Sequence, residues 1–322
     1  LPLGEAHQVD WLSEIKSTST GAATVPQSPS FKRVVTAHLL KQACIIAVGV
    51  WGGKKCLLKN RDRNYVPKVK IIHELREGVE VLYMTDVSTG WCEGLNEHGI
   101  GIVNSALQVA RDEAEKSVVK SKGKKSKDGP RVLKTLECTN VKRAVEVGQT
   151  YEGGLKGHTI IATETETYTL EGTSKHEFHS RKLPEGKITV RTNHGIHYDD
   201  SGYTEGSNYE SSVVRRDKAK RTLRGLDSPD EVATALMSAR MDDRAHPNNM
   251  VRYTDNMSTT SQMIINLTDK ELVFYVIPDR VEFEGYENKL PKGRKPKLKV
   301  RVIEYVDVDT DGDFDTKVIK NK

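Results

Sequence analysis

At 322 residues the chain is long enough for one large domain or two ordinary ones, with ample capacity to bury a core. Hydrophobic residues make up 36% and charged residues 30%, and no run approaches the ~20 apolar residues of a membrane-spanning helix. The 50 basic residues exceed the 45 acidic ones by a margin that one local cluster could supply, which argues against a chain-wide nucleic-acid binder and supports only a modest preference for anionic partners.

Residues 1–43 read as separate from the rest of the chain. A short amphipathic piece (Val9, Trp11, Leu12, Ile15) gives way to the polar run STSTGAATVPQSPS, and Phe31 to Gln42 can form a short helix ahead of Cys44. A propeptide and a plain N-terminal arm both fit. Nothing in residues 1–30 has the basic and apolar regions of a secretory signal, so a cytoplasmic location is the default expectation.

Cys44 to Asp62, CIIAVGVWGGKKCLLKNRD, predicts a β-hairpin turning at Gly52-Gly53. If the chain is cut before Cys44, that residue carries both a nucleophilic thiol and a free α-amine able to act as its base. Further strands are expected at 69–74, 80–87 and 100–107, and their succession without helices predicts antiparallel pairing. The four cysteines (Cys44, Cys56, Cys92, Cys138) form no CxxC pair and read as reduced thiols. Arg111 to Lys127 is Lys-rich without interleaved aromatics, which fits a solvated basic loop better than a nucleic-acid site.

Arg131 to Val147 predicts a helix broken near Thr139, followed by strands at 157–163, 166–171, 176–181 and 187–191. Ser212 to Leu223 reads as a basic helix. Ser228-Pro229-Asp230-Glu231 is a helix start, with a capping Ser, Pro at the first position and Glu three residues after the cap, for a helix reaching about Met241. Strands at 260–267 and 271–277 come next, and one at 298–306 lies in a charged tail. Asp307, Asp309, Asp311 and Gly312 open like a calcium loop, but Val318 stands where a bidentate Glu is needed, so an acidic turn is expected.

Four pieces then fall in sequence: Cys44 opening a strand, Asn60-Arg61-Asp62 ending eighteen residues later, GLNEHGIGIVNSAL at 94–107, and Arg191-Thr192-Asn193-His194 after a later strand. Together they resemble the N-terminal-nucleophile (Ntn) hydrolases with a cysteine nucleophile, in particular the acyl-coenzyme A:6-aminopenicillanate acyltransferase family, and more distantly penicillin V acylases and bile-salt hydrolases. The resemblance covers roughly Cys44 to Val276. It implies an α+β fold, a four-layer αββα sandwich of two antiparallel sheets, with domain 44–278 carrying the basic loop 111–130 and 279–322 as a charged C-terminal extension.

For this chain the resemblance implies self-cleavage between Ala43 and Cys44. Asp62 is the implied catalytic carboxylate and Asn193 an oxyanion donor. Arg61 and Arg252 are the candidate catalytic cations, since Met257 aligns where the acyltransferases place an arginine. Asn104 and His194 are candidate substrate contacts. The chemistry can also be argued from the groups themselves: an α-amine ordinarily titrates at about 7.7–8, close to a thiol at about 8.5, so the amine can accept the thiol proton near neutrality. No metal or organic cofactor is required. The expected partner is a small acyl-amide, with neither a specific nucleic acid nor a membrane span, and a homo-oligomer is compatible with it.

Each residue also has a plainer reading: Cys44 as a core thiol, Asp62 as a turn cap, Asn193 as a loop residue, Arg61, Arg63 and Arg252 as structural charges. His194 and His197 lack a third ligand for a metal site. A Cys/His hydrolase without self-cleavage and a non-catalytic binding module are the alternative functions.

Overall fold

The computed structural model describes residues 42–107, 128–173, 175–238, 246, 248–254, 257–307 and 314–319. The expected N-terminal arm up to residue 41, the basic run 111–127, the end of the helix at Met241 and the aspartates after 307 lie outside them.

Strands β1 (Gln42–Trp51) and β2 (Lys54–Arg63) form the opening hairpin. It turns at Gly52 and Gly53, whose φ values of 57° and 72° suit glycine; a Cβ on Gly52 would stand 2.3 Å from the Asp227 carbonyl. A meander of β3 (Lys68–Arg76), β4 (Val79–Asp86), β5 (Trp91–Asn96) and β6 (Gly101–Ser105) continues the chain. Helices α1 (Asp128–Leu136) and α2 (Val141–Thr150) lead to β7 (Gly157–Ala162), β8 (Thr167–Gly172), β9 (Phe178–Lys182) and β10 (Thr189–Arg191). Next come α3 (Gly206–Thr222), α4 (Pro229–Ser238), β11 (Tyr253–Thr254), β12 (Met257–Asn266) and β13 (Glu271–Val276). The segment after Pro278 adds β14 (Glu282–Asn288), β15 (Lys299–Asp307) and β16 (Phe314–Ile319).

The strands form two sheets. One runs β10-β1-β2-β12-β13-β15-β16, with β11 on β12; the other runs β14-β3-β4-β5-β6-β7-β8-β9. Pairing is antiparallel except at β13–β15 and β3–β14. Side-chain alternation along the strands sorts the apolar residues into three layers. Ile46, Val48 and Leu57 of the first sheet meet Ile71, Leu82 and Val103 of the second in a core between the sheets. Ile45, Ala47 and Leu58 face Ala219, Leu223, Val232 and Leu236 of α3 and α4. Val81, Tyr83 and Ile102 face Val132, Leu136, Val141 and Ala144 of α1 and α2. The architecture is therefore an α+β sandwich in four layers, αββα. Among the described residues no helix is long and apolar enough to cross a membrane.

Most expected elements are present, with ends shifted by a few residues. The helix expected to break at Thr139 is two helices; Asn140 caps the second by accepting the Arg143 N–H at 2.9 Å. Ser228 caps α4 as expected, its Oγ accepting Glu231 N at 3.1 Å, while Glu231 accepts Asp227 N, one residue before the cap, at 2.7 Å. Asn96 and Gly99 shape the β5–β6 turn, as Asn96 Oδ1 accepts from His98 N and Ile100 N and Gly99 has φ 77°. Besides the two-residue β11 and the late β16, two strands were missing from the sequence reading, β5 and β14. The first, WCEGLN, mixes Glu and Gly into a strand buried on both faces; the second, EFEGYEN, is a half-exposed edge strand.

The connection from β14 to β15 is tied down by two acids. Buried Glu80 accepts Lys297 N at 2.7 Å and Leu298 N at 3.0 Å, pairs with His73 Nε2 at 2.9 Å, and lies 3.3 Å from Arg294 Nε. Glu97 holds the Lys297 ammonium and accepts Glu80 N. His73 donates from Nε2 to the carboxylate and accepts the Tyr286 hydroxyl at Nδ1, 2.9 Å away. Burial opposes the Glu80 charge, but the Lys297 amide, His73 and the Leu298 amide bring its carboxyl below the ordinary range; burial lowers His73. Both shifts have the same sign: the stability they carry is present above the unfolded pKa values and is lost as pH falls through the folded ones. Glu80→Gln is thus expected to cost about 1–3 kcal/mol at pH 7. Urea midpoints across the acid range should also fall less steeply in the variant than in the wild type.

Candidate functional site

The β1–β2 register decides which side chains meet. Cys44 stands opposite Arg61, Ile46 opposite Lys59, and Gln42 opposite Arg63. Directly opposed residues share a face, so Cys44, Lys59, Arg61 and Arg63 all look into the space between the sheets, while Ala43 and Asp62, also opposed, look towards α3. The thiol and the aspartate carboxylate therefore lie on opposite faces of one sheet. What joins them is the Cys44 main chain.

On the inter-sheet side, Cys44 is 1% exposed and its sulfur accepts from Arg63 Nη1 at 3.7 Å; the same nitrogen donates to the Asp62 carbonyl at 2.8 Å. The second sheet supplies the counter-charges. Glu93, on the inward face of β5, pairs with both Lys59 and Arg61 and accepts Trp91 Nε1 at 2.8 Å. Lys59 also donates to the Asn104 carbonyl at 2.7 Å. Asp86 Oδ2 accepts the Tyr65 hydroxyl at 2.7 Å and lies 4.0 Å from both Arg61 Nη1 and Arg63 Nε. Burial alone would push the Cys44 thiol up; Lys59 and Arg63 outweigh it, and the thiol is lowered.

On the helix side, Asp62 accepts Thr259 Oγ1 at 2.7 Å, with Arg215 Nη1 at 3.7 Å and Arg252 Nε at 3.8 Å from its other oxygen. Burial raises the Asp62 carboxyl against the pull of Arg252, Arg215 and Thr259. Arg215 also donates to Asn193 Oδ1 at 3.0 Å, and this oxygen accepts the Cys44 N–H at 3.2 Å. Two donors on one atom fix the amide orientation. Asn193 Nδ2 is engaged by Ser105 Oγ (3.1 Å) and the Ala106 carbonyl (2.7 Å), so in this arrangement the group an oxyanion would need is already committed.

Asn193 is held by a chain of neighbours. Its N–H donates to Ser212 Oγ on α3 at 2.8 Å. The turn after it is gripped by Glu171, which accepts Ile196 N (3.1 Å), His197 N (3.0 Å) and Tyr198 N (3.1 Å). His158 donates from Nε2 to the His194 carbonyl at 2.8 Å, 3.6 Å from Glu171 on its other side.

Of the residues expected from sequence, Cys44, Asp62, Asn193, Arg61 and Arg252 are thus gathered around one stretch of β1 and β2. Asp62 lies within a strand and caps no turn. His194 does not reach Cys44: Thr192 and Ser212 occupy Nδ1 and Arg216 occupies Nε2, and burial with Arg216 lowers the ring to about 4. Asn104 contributes only its carbonyl. Val103 faces the inter-sheet core and Ile102 the α1–α2 layer, so alternation turns the Asn104 side chain away from Cys44. No histidine among the described residues hydrogen-bonds the thiol. Cys56 and Cys92 are core thiols raised by burial to about 12 and about 11, and no cluster of three His, Cys, Asp or Glu residues among the described residues could hold a metal.

The sequence reading missed Glu93, Arg215, Thr259 and Glu171 as parts of this site. Arg215 had a signal: Ser211, Ser212, Arg215 and Ala219 form the buried face of α3 at helical spacing. A buried polar stripe on a basic helix points to a partner carboxylate in the core.

No protein-family profile matches the chain, and no curated protein does. Among solved structures it is similar to penicillin V acylase from Agrobacterium tumefaciens, with 10% identity and a TM-score of 0.38 over 73% of this chain and 86% of that one.

Proposed function

We propose that the chain is a self-processed cysteine amidohydrolase or acyltransferase acting on linear carbon–nitrogen amide bonds, with Cys44 as nucleophile. The observation that carries the reading is the double placement of Cys44: its sulfur meets Arg63 at 3.7 Å while its main-chain nitrogen meets Asn193 Oδ1 at 3.2 Å. A core thiol needs neither contact. The four ordered sequence motifs point the same way.

In processing, the Cys44 sulfur attacks the Ala43 carbonyl, the Ala43–Cys44 bond breaks, and the Cys44 nitrogen leaves as an amine after taking up a proton. Water then hydrolyses the thioester and releases the new N-terminus. In turnover that amine accepts the thiol proton, and the sulfur attacks the substrate carbonyl. The leaving amine takes the proton, and water or another acceptor takes the acyl group from sulfur. Asn193 Oδ1 already holds a hydrogen of this nitrogen and orients its lone pair towards the thiol. Arg63 favours the thiolate, and Asp62 with Thr259 balances Arg215 and Arg252 behind the amine.

Intact-mass measurement tests this. Wild type is expected as two pieces divided between Ala43 and Cys44, and Cys44→Ala as one chain. Two identical uncut chains would remove self-processing from the proposal.

A further inference from the structure

Buried donors without acceptors crowd the inter-sheet side of the site. Arg61 lacks a hydrogen-bond partner at Nε and Nη1, and Arg63 at Nε and Nη2, although both side chains are 1% exposed. Leaving a buried polar group unpaired is costly, and more so when it is charged. Asp86 Oδ2 lies 4.0 Å from each guanidinium, too far to accept from either, and accepts the Tyr65 hydroxyl instead. The charges are also uneven. Among the described residues, the guanidiniums of Arg61, Arg63, Arg215 and Arg252 share the site with the carboxylates of Asp62, Asp86 and Glu93, and Lys59 adds to the cationic side. A guanidinium stays charged at neutral pH and offers a planar fork that matches a carboxylate.

We infer that Arg61 and Arg63 form a carboxylate-binding subsite beside the nucleophile, so that the substrates are N-acyl compounds carrying a carboxylate close to the scissile carbonyl. This rests on the proposed role of Cys44 for its catalytic meaning but not for the binding itself. Arg63 spans both tasks: Nη1 faces the sulfur while Nη2 and Nε remain for the ligand. A neutral acyl group in the same place would bury those donors unpaired. A site built to pair a polar substrate group discriminates against analogues lacking it by up to about 10⁴–10⁵.

Alkylation of the full chain tests the subsite with two reagents of nearly equal shape, iodoacetate and iodoacetamide. In each, the Cys44 sulfur forms a bond to carbon as iodide leaves, and peptide mass spectrometry reads the extent at each cysteine. Half-exposed Cys138 serves as the internal reference. The iodoacetate-to-iodoacetamide rate ratio is expected to be at least about tenfold higher at Cys44 than at Cys138, because the guanidinium forks pair with a carboxylate and not with an amide. Arg63→Gln should bring the ratio down to that of Cys138, with Arg63→Lys between. In the wild type alone, malonate should protect Cys44 from iodoacetamide and malonamide should not, which keeps the test independent of whether a variant folds.

Equal ratios at the two cysteines, equal protection by malonate and malonamide, or no alkylation of Cys44 by either reagent would each overturn the inference. The outcomes separate from those of self-processing. An uncut chain with the anionic preference keeps the subsite, and a cut chain without it loses only the subsite.

Discussion

Glu93→Gln is expected to destabilise the protein by about 3–5 kcal/mol, seen as a lower urea midpoint with little change in slope. The substitution keeps shape but removes the carboxylate that pairs with both Lys59 and Arg61, each 1% exposed, leaving Lys59 with the Asn104 carbonyl and Arg61 with Asp86 at 4.0 Å. The loss comes from the uncompensated charges. Replacing Lys59, Arg61 and Glu93 together by apolar residues of similar volume should therefore recover most of the stability, since well-packed apolar groups commonly equal or exceed a buried ion cluster. That triple variant should also slow Cys44 alkylation at neutral pH, because it removes Lys59 from the cations that lower the thiol and leaves Arg63. A Glu93→Gln change below about 1 kcal/mol would mean that the cluster is not closed as described.

Glu171→Leu is expected to cost on the order of 3 kcal/mol or more, by stripping the acceptor from three successive backbone N–H groups at 196–198. Its effect on the site should exceed its effect on the fold. The turn it anchors begins three residues after Asn193, whose oxygen holds the Cys44 N–H. The proposed processing at Ala43–Cys44 should slow in Glu171→Leu even at temperatures where circular dichroism shows the protein folded. Glu171→Gln, which keeps one acceptor oxygen, should restore part of the rate. If both variants process at the wild-type rate, Glu171 serves stability alone.

The fold was legible where residues obey one local rule. Ile45 to Val48 and Leu57-Leu58 spell buried strands, Gly52-Gly53 spells the turn between them, and Ser228 to Glu231 spells a helix start. Strand β5 was not legible, because Glu93 sits in the middle of it and its justification, Lys59 and Arg61, comes from the other sheet. Strand β14 was hidden for the converse reason: it is an edge strand held by backbone pairing to β3, and its side chains say little. The site divides the same way. Cys44, Asp62 and Asn193 were singled out by the order and spacing of the resembling motifs, whereas Arg215 and Glu171 reach the site through contacts among residues far apart in sequence. Their chemistry is ordinary, and only the folded register brings it to bear. Arg63 was read as a structural charge because the hairpin had not yet been given the register that puts it beside the sulfur.

The strands after Pro278 also order events in time. β14 completes one sheet by pairing Glu282 with Lys68, and β15 extends the other by pairing Glu271 with Lys299, the two joined by the stretch resting on Glu80. A chain emerging from the ribosome N-terminus first carries Cys44, Asp62 and Asn193 outside before either partner strand exists. Lys68 and Glu282 are more than two hundred residues apart, and such distant pairings form late. Until then β3 and β13 each present an open edge at which another chain could add. Synthesis of residues 282–307 thus acts as a clock: it adds the outer strands of both sheets together and sets the earliest moment at which the sandwich around Cys44 is complete.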